Sequence, residues 1–296
     1  MLIYYGISNN LIDVTDICIE KLMENDIITI PSGDSDRAFY FTDHLFGVHK
    51  KIIIKNINDI SEYDEYIQLK IDILNNKLIY FISEHDANNR LINIQSKLNI
   101  KYGSFNEELS EQKMVSRYLT GNEKVLELGG NIGRNSLIIA SILTNSNNLV
   151  VLESDEDIAN LLIENRNINN FNFQIENSAL SKQKLIQKGW NTIPSDILIP
   201  EYKWVNTITL EELKNKYCIE FDTLILDCEG AFYYILMDMP EILNNINLII
   251  MENDYTDISN KHYIDEKLIQ NNFYRDYAEY GGWGPCSDYF WEVWKK

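Results

Sequence analysis

Apolar runs of two different kinds occupy the two parts of the chain. Up to about residue 98 they are brief and rich in β-branched and aromatic residues: Leu2–Tyr5, Ile27–Ile30, Phe39–Thr42, Lys51–Lys55 and Leu78–Ile82, bounded by Asn, Asp, Ser, Gly or Pro. Such runs between turn formers predict strands. Leu11–Glu24 predicts one helix, against the preference of its β-branched residues. Residues 1–98 thus read as a small β-rich α+β module. From residue 99 onward, strands and helices alternate. A helix is expected through Glu111–Leu119, capped by Ser110 and closed by Gly121-Asn122. Strands follow at Val125–Leu128 and Leu149–Leu152, separated by a helix from Ser136, and a helix over Asp155–Asn167 leads to a strand in Phe171–Ser181. Residues 182–206, with Trp190, Pro194, Pro200 and Trp204, read as loops or a hairpin. Further strands are predicted at Thr223–Leu226 and Asn247–Asp254, a helix at Asp265–Asn271, and a final strand pair at Tyr274–Tyr280 and Asp288–Trp294. Strands apolar throughout, alternating with helices, predict an α/β domain over 99–296 whose sheet is largely parallel and covered on both faces.

The stretch that organises this domain is Lys124-Val-Leu-Glu-Leu-Gly-Gly-Asn-Ile-Gly-Arg-Asn-Ser136. A buried strand ends in glycines and feeds a helix. Gly129, Gly130 and Gly133 remove side chains where the backbone turns tightly and a ligand can approach. The helix start supplies unpaired N–H groups. A dinucleotide fingerprint wants G-x-G-x-x-G, and Asn131 stands where its second glycine belongs. With Glu127 in the strand end, the pattern is acidic-x-Gly-Gly-x-x-Gly. It resembles the first motif of S-adenosylmethionine-dependent methyltransferases of the Rossmann-like class. Glu153 ends the second strand, about 24 residues past Gly129, where one carboxylate can accept from both hydroxyls of a ribose. A solvated acidic strand end is the plain alternative for Glu153 alone.

A second constellation follows the strand Thr223–Leu226. Asp227 and Glu229 lie at its C-terminal end, where ligands bind in open parallel sheets, and Gly230 turns the chain away. Two acids one residue apart would share one side of an extended chain. At that spacing they should perturb each other, which suits a proton acceptor or a cation ligand. Glu252 is expected at the tip of the next strand, beside the same crevice.

Asp227-Cys-Glu-Gly-Ala-Phe232 is similar to the Asp-Val-Glu-Gly-Ala-Glu hallmark of FkbM-type methyltransferases, with Phe232 in place of the final acid. Val205–Leu213, Phe105–Leu109 and the glycine turn fit the same pattern, and the resemblance spans about residues 102–294. It implies a Rossmann-like methyltransferase sheet that binds S-adenosylmethionine. By the same resemblance Glu127, Gly129, Gly130, Asn131, Gly133, Glu153, Ser154 and Asp227 serve the cofactor, with Ser178 and Ala179 at its adenine. Asp227, Glu229 and Glu252 are the acceptor-side candidates, one of them as base; His262 is a weaker one. The reaction implied is methyl transfer to a hydroxyl of a sugar, nucleotide-sugar or glycan. Methylation of RNA or protein, and an inactive module serving assembly through the N-terminal part, stay open. So does a divalent cation held by the acids.

Composition narrows these options. The net charge is −19, with about −6 on residues 1–98 and about −13 on the rest, and no basic block that would neutralise phosphates. Nucleic acid is therefore disfavoured as a partner. Cys18, Cys218, Cys228 and Cys286 are far apart. Neither a secretory leader nor a membrane-length apolar stretch is apparent, so a cytoplasmic location is expected. His44 and His49, with Asp34 and Asp36 upstream, could suggest a metal, yet their spacing shares no helix or strand face, and a polar turn is expected. Trp283 in the loop Gly281–Cys286 would either stack on a sugar or pack in a hairpin turn, while Trp291 and Trp294 read as core around a polar Glu292. A homo-oligomer through residues 1–98 is a further option.

Overall fold

In the computed structural model, which describes residues 1–56, 60–75 and 77–296, the chain forms two compact units. One comprises Met1–Ile94 with Ser116–Asn122 and Ile142–Thr144; the other holds the remaining described residues. No helix among the described residues is long and apolar enough to cross a membrane.

The first unit contains β1 (Leu2–Ile7), β2 (Asn10–Asp13), α1 (Thr15–Leu22), β3 (Met23–Glu24), β4 (Ile27–Ile30), α2 (Asp34–Phe41), β5 (Lys51–Lys55), β6 (Ile60–Tyr63), β7 (Gln68–Asp72), β8 (Lys77–Phe81) and α3 (Glu84–Gln95). Two antiparallel sheets, ordered β2-β1-β5-β6 and β3-β4-β7-β8, share one core of Ile3, Tyr5, Ile28, Ile30, Ile52, Ile54, Leu69 and Ile71. These positions alternate along their strands, as one buried face requires. The expected helix over Leu11–Glu24 is shorter, because Leu11–Asp13 pairs with Tyr4–Gly6. Phe39–Thr42 is not a strand. It belongs to α2, whose first turn carries Asp34 and Asp36 and which buries Arg37 and Phe41 one turn apart. The histidines form no shared ligand set: His49 Nδ1 lies 2.6 Å from Glu65, while Asp34 accepts from Tyr5 and Lys50.

Next in the chain is α4 (Leu109–Tyr118), whose early start puts Ser110 inside the first turn instead of at the cap. There follow β9 (Val125–Leu128), α5 (Arg134–Ile142), β10 (Leu149–Leu152), α6 (Glu156–Ile168), β11 (Gln174–Glu176) and β12 (Ala179–Leu180). Next come β13 (Leu185–Lys188), β14 (Asn191–Pro194), β15 (Lys203–Val205), β16 (Thr207–Ile208) and α7 (Leu210–Tyr217). The chain ends with β17 (Thr223–Leu226), α8 (Phe232–Asp238), β18 (Leu248–Glu252), α9 (Ile258–Gln270), β19 (Tyr274–Glu279) and β20 (Trp291–Lys295). The main sheet runs β11-β10-β9-β17-β18-β20-β19, with β20 alone reversed. This is the Rossmann-like α/β sheet expected of this half. Every residue of β9, β10 and β17 is buried, so both faces are covered. Leu126, Leu152, Leu224 and Ile249 pack with Leu213, Phe232, Leu236 and Ile264 from α7, α8 and α9. On the opposite face, Val151 and Leu162 of α6 close over Gly130.

Residues 182–206 contain a three-stranded antiparallel sheet, β14-β13-β15, in place of loose loops. Helix α9 starts seven residues before the expected Asp265, capped by Asp257, whose carboxylate accepts from the Ser259 N–H at 2.9 Å. Trp294 is core as expected, Trp291 is only partly buried, and Glu292 between them is fully buried and accepts from Lys261 at 2.8 Å, Arg275 at 2.8 Å and Trp294 at 2.9 Å. Burial raises its pKa, and the two cations and the indole outweigh that and leave it below the ordinary value. Removing Lys261, itself fully buried, strands a buried carboxylate. Lys261→Ala should lower stability by about 3–5 kcal/mol in urea unfolding, and the part that depends on Glu292 ionisation should fade as pH falls through its lowered pKa.

Candidate functional site

Strand β9 has β10 on one side and β17 on the other, so the C-terminal ends of β9 and β17 face a crevice at the point where strand order reverses. Gly129 and Gly130 follow β9 and both donate to Leu152 O at 3.0 Å. Gly129 has φ +88, and a Cβ there would stand 1.5 Å from the Asp227 carbonyl oxygen. The glycine turn and the segment after β17 are therefore in direct backbone contact. Gly129→Ala combines a left-handed alanine with a clash against main chain, and should cost at least about 2 kcal/mol in denaturant unfolding. Gly189→Ala is the control: φ is +56, but a Cβ there meets nothing within 4 Å, so only the conformational penalty of about 1 kcal/mol should appear.

Glu153, at the tip of β10, is 6% exposed. Its Oε2 accepts from the Asn131 N–H at 2.8 Å and its Oε1 from the Asp155 N–H at 2.8 Å. Each oxygen keeps a second lone pair, and the side chain borders a cavity of about 500 Å³. Asn131, at φ +45, lines the same cavity, and its Nδ2 donates to Glu108 at 3.2 Å.

Six carboxylates line this cavity: Glu108, Glu153, Asp227, Glu229, Asp238 and Glu252. Among the described residues, no Lys, Arg or His does. Behind it, a space of about 10 Å³ is bordered by Glu108, Glu111, Glu127, Asp227 and Glu252. Burial, then repulsion from Glu111 and Glu108, holds the Asp227 carboxyl well above the usual range. Glu252 is pushed up to about 11 by burial and by a hydrogen bond shared with Glu111, which requires a proton on one of the two. Asp254, whose Oδ1 accepts from Gly230 N–H at 2.8 Å, rises to about 7 through burial and Glu229. Arg134 offsets part of this charge by pairing Glu107 and Glu108. Among the described residues, no three His, Cys, Asp or Glu side chains are grouped as metal ligands.

The walls come from two places. The β13–β15 sheet contributes Leu185, Gln187, Thr192 and Pro194, and its hairpin tip contributes Trp190; α8 contributes Tyr234, Ile235 and Asp238. Lys203 on β15 ties that sheet to the cap of α6 through Asp155 Oδ2 at 2.7 Å.

Of the residues singled out in the sequence, the cavity is lined by Gly129, Asn131, Glu153, Ser154, Ser178, Ala179, Asp227, Glu229 and Glu252. Glu127 and Gly130 border the smaller space behind it, and Gly133 borders neither. Glu127 is 2% exposed, and its Oε2 accepts from Ser136 Oγ at 2.5 Å; burial lifts its pKa to about 8. Gly130 and Gly133 are spaces for α6, since a Cβ on them would meet Val151 or Leu162 at 2.2 and 2.3 Å. Asp227 and Glu229 do not share one side of an extended chain either. The strand ends at Leu226, and Glu229 sits in the left-handed region at φ +51. His262 is exposed on α9, and Trp283 is half exposed; neither lines the cavity. Glu111, Gln187, Trp190 and Tyr234 escaped the sequence reading. Glu111 lay in the expected helix, but only the fold turns it toward Asp227.

No protein-family model and no curated protein matches the chain. Among solved structures, an O-methyltransferase from Bacillus cereus in complex with SAH is similar over 71% of this chain and 90% of its own, at 16% identity and TM-score 0.42. Aeropyrum pernix fibrillarin, with natively bound S-adenosyl-L-methionine, is similar over 82% of this chain and 97% of its own, at 8% identity and TM-score 0.41. A ribosomal protein L11 methylase from Lactobacillus delbrueckii subsp. bulgaricus covers 66% of this chain and 79% of its own, at 11% identity and TM-score 0.40.

Proposed function

We propose that the chain is an S-adenosylmethionine-dependent methyltransferase that acts on a hydroxyl oxygen of a saccharide. The observation that carries this reading is the acidity of the cavity: six Asp and Glu side chains and, among the described residues, no basic one, around a glycine turn at the strand-order switch. A dinucleotide would bring a pyrophosphate into that field and be repelled. S-adenosylmethionine brings a sulfonium and an α-ammonium against a single α-carboxylate, a net positive charge that the acids stabilise. Glu153, with its free lone pairs, accepts from the ribose hydroxyls. Gly129 and Asn131 border the methionine end, and Ser178 and Ala179 the base.

Bound there, S-adenosylmethionine supplies an activated methyl group, so the protein has mainly to align an acceptor oxygen. Asp227 and Glu252 line the cavity at the ends of adjacent strands. Next to a cation their protons are released, and one carboxylate is left to take the hydroxyl proton as the oxygen–carbon bond forms and the carbon–sulfur bond breaks. The exposed rings of Trp190 and Tyr234 suit the faces of a sugar. The same acids disfavour RNA and nucleotide-linked sugars, whose phosphates they would meet, and favour an uncharged sugar or glycan.

The test is transfer of labelled methyl from the cofactor to a panel of free sugars, glycans, oligonucleotides and proteins. Label is expected in a saccharide product and should be lost in Asp227→Asn. Cofactor binding without transfer to any hydroxyl compound would overturn the O-directed reading. Label in oligonucleotide or protein alone would overturn the saccharide.

A further inference from the structure

Gln187 has a position the reaction above does not explain. It lies on β13, the middle strand of the three-stranded sheet, and is 5% exposed while lining the cavity. Its carboxamide oxygen is shut off from solvent and accepts no hydrogen bond from the described residues. A desolvated carboxamide oxygen without a partner is unfavourable unless a ligand completes it.

Its neighbours say which part of the ligand it meets. Gln187 is in register with Lys203 on β15, and directly opposed residues project from the same face of a sheet. The Lys203 ammonium reaches Asp155, two residues beyond Glu153. The face that carries Gln187 is therefore turned toward the tip of β10, where the ribose is placed. A carboxamide offers one donor side and one acceptor side, and adenine answers both through its amino group and an adjacent ring nitrogen.

We infer that Gln187 reads the adenine edge of the nucleoside cofactor and so sets base specificity. This rests on the proposed reading of the cavity as a sulfonium-nucleoside site. The test measures binding of S-adenosylhomocysteine and of its analogue lacking the 6-amino group, to the native chain and to Gln187→Leu, by calorimetry. The native chain should prefer the adenine compound at least about tenfold. Gln187→Leu should bind both equally and weakly, with its thermal unfolding unchanged, because a merely structural loss would weaken both compounds in proportion and keep the preference. A preference retained in Gln187→Leu overturns the assignment while leaving the cofactor site standing, as does an unchanged nucleoside affinity with a raised KM for the acceptor. Failure of the native chain to bind either compound overturns the cofactor reading and this assignment together.

Discussion

Glu153→Ala should weaken binding of S-adenosylhomocysteine about 100-fold or more. Hydrogen bonds to a charged acceptor are worth about 1.5–3 kcal/mol each, and a ribose offers two. The same carboxylate also holds the Asn131 and Asp155 N–H groups at 2.8 Å, so part of the loss would come from a loosened turn. Glu153→Gln separates the two contributions. It keeps one acceptor oxygen and the side-chain volume, leaves one backbone donor unpaired, and should cost about tenfold. Titration calorimetry on all three proteins decides the matter, provided each unfolds cooperatively. Native-like affinity in Glu153→Ala would remove Glu153 from the ribose site.

The second large effect is on pH. Without a ligand, burial and mutual repulsion hold the Asp227 carboxyl well above the usual range and push Glu252 up to about 11. A cation bound beside them favours the ionised forms and expels a proton. Affinity should therefore rise with pH, by about tenfold per unit for each proton released. Calorimetry between pH 6 and 9, in buffers of different ionisation heat, should show proton release throughout. The sign for folding is opposite. Glu127 is raised from 4.5 to about 8, and a carboxyl whose folded pKa exceeds its unfolded one binds its proton more tightly when folded. Its contribution is complete below the unfolded value and is lost as pH climbs to the folded one. Stability of the free chain should fall over that window, and the thermal shift produced by a cationic ligand should grow. Affinity flat in pH, with heats independent of buffer, would contradict the ionisation of this cluster by its ligand.

What the sequence disclosed follows from the range of the interactions. Val125–Leu128, Leu149–Leu152 and Thr223–Leu226 are buried on both faces, so their apolar runs were legible without a partner, and the acids beyond them mark strand tips. The glycine turn was legible because φ and close approach restrict the residue type locally. Direction was not. Glu127 looked like a ligand-facing acid, yet it points back to Ser136, which only the pairing of α5 with β9 determines. Gly130 and Gly133 do not line the cavity, and a Cβ on them would meet Val151 of β10 and Leu162 of α6. In the first unit, Phe39–Phe41 carries strand-forming side chains inside a helix, because burial of Arg37 and Phe41 one turn apart overrides propensity. Glu111 and Gln187 carry no local signature at all. Their importance lies in what they face, and that is set by chain more than a hundred residues away for Glu111 and by the cross-strand Lys203 for Gln187.

A crystal structure of the chain with S-adenosylhomocysteine tests the central claim most directly. The expected density lies in the cavity of about 500 Å³, with the ribose hydroxyls on Glu153, the amino-acid end against Gly129 and Asp227, and the base between Ser178 and Gln187. Density that puts the ligand away from both the glycine turn and Asp227, or an empty cavity at saturating ligand, would contradict it.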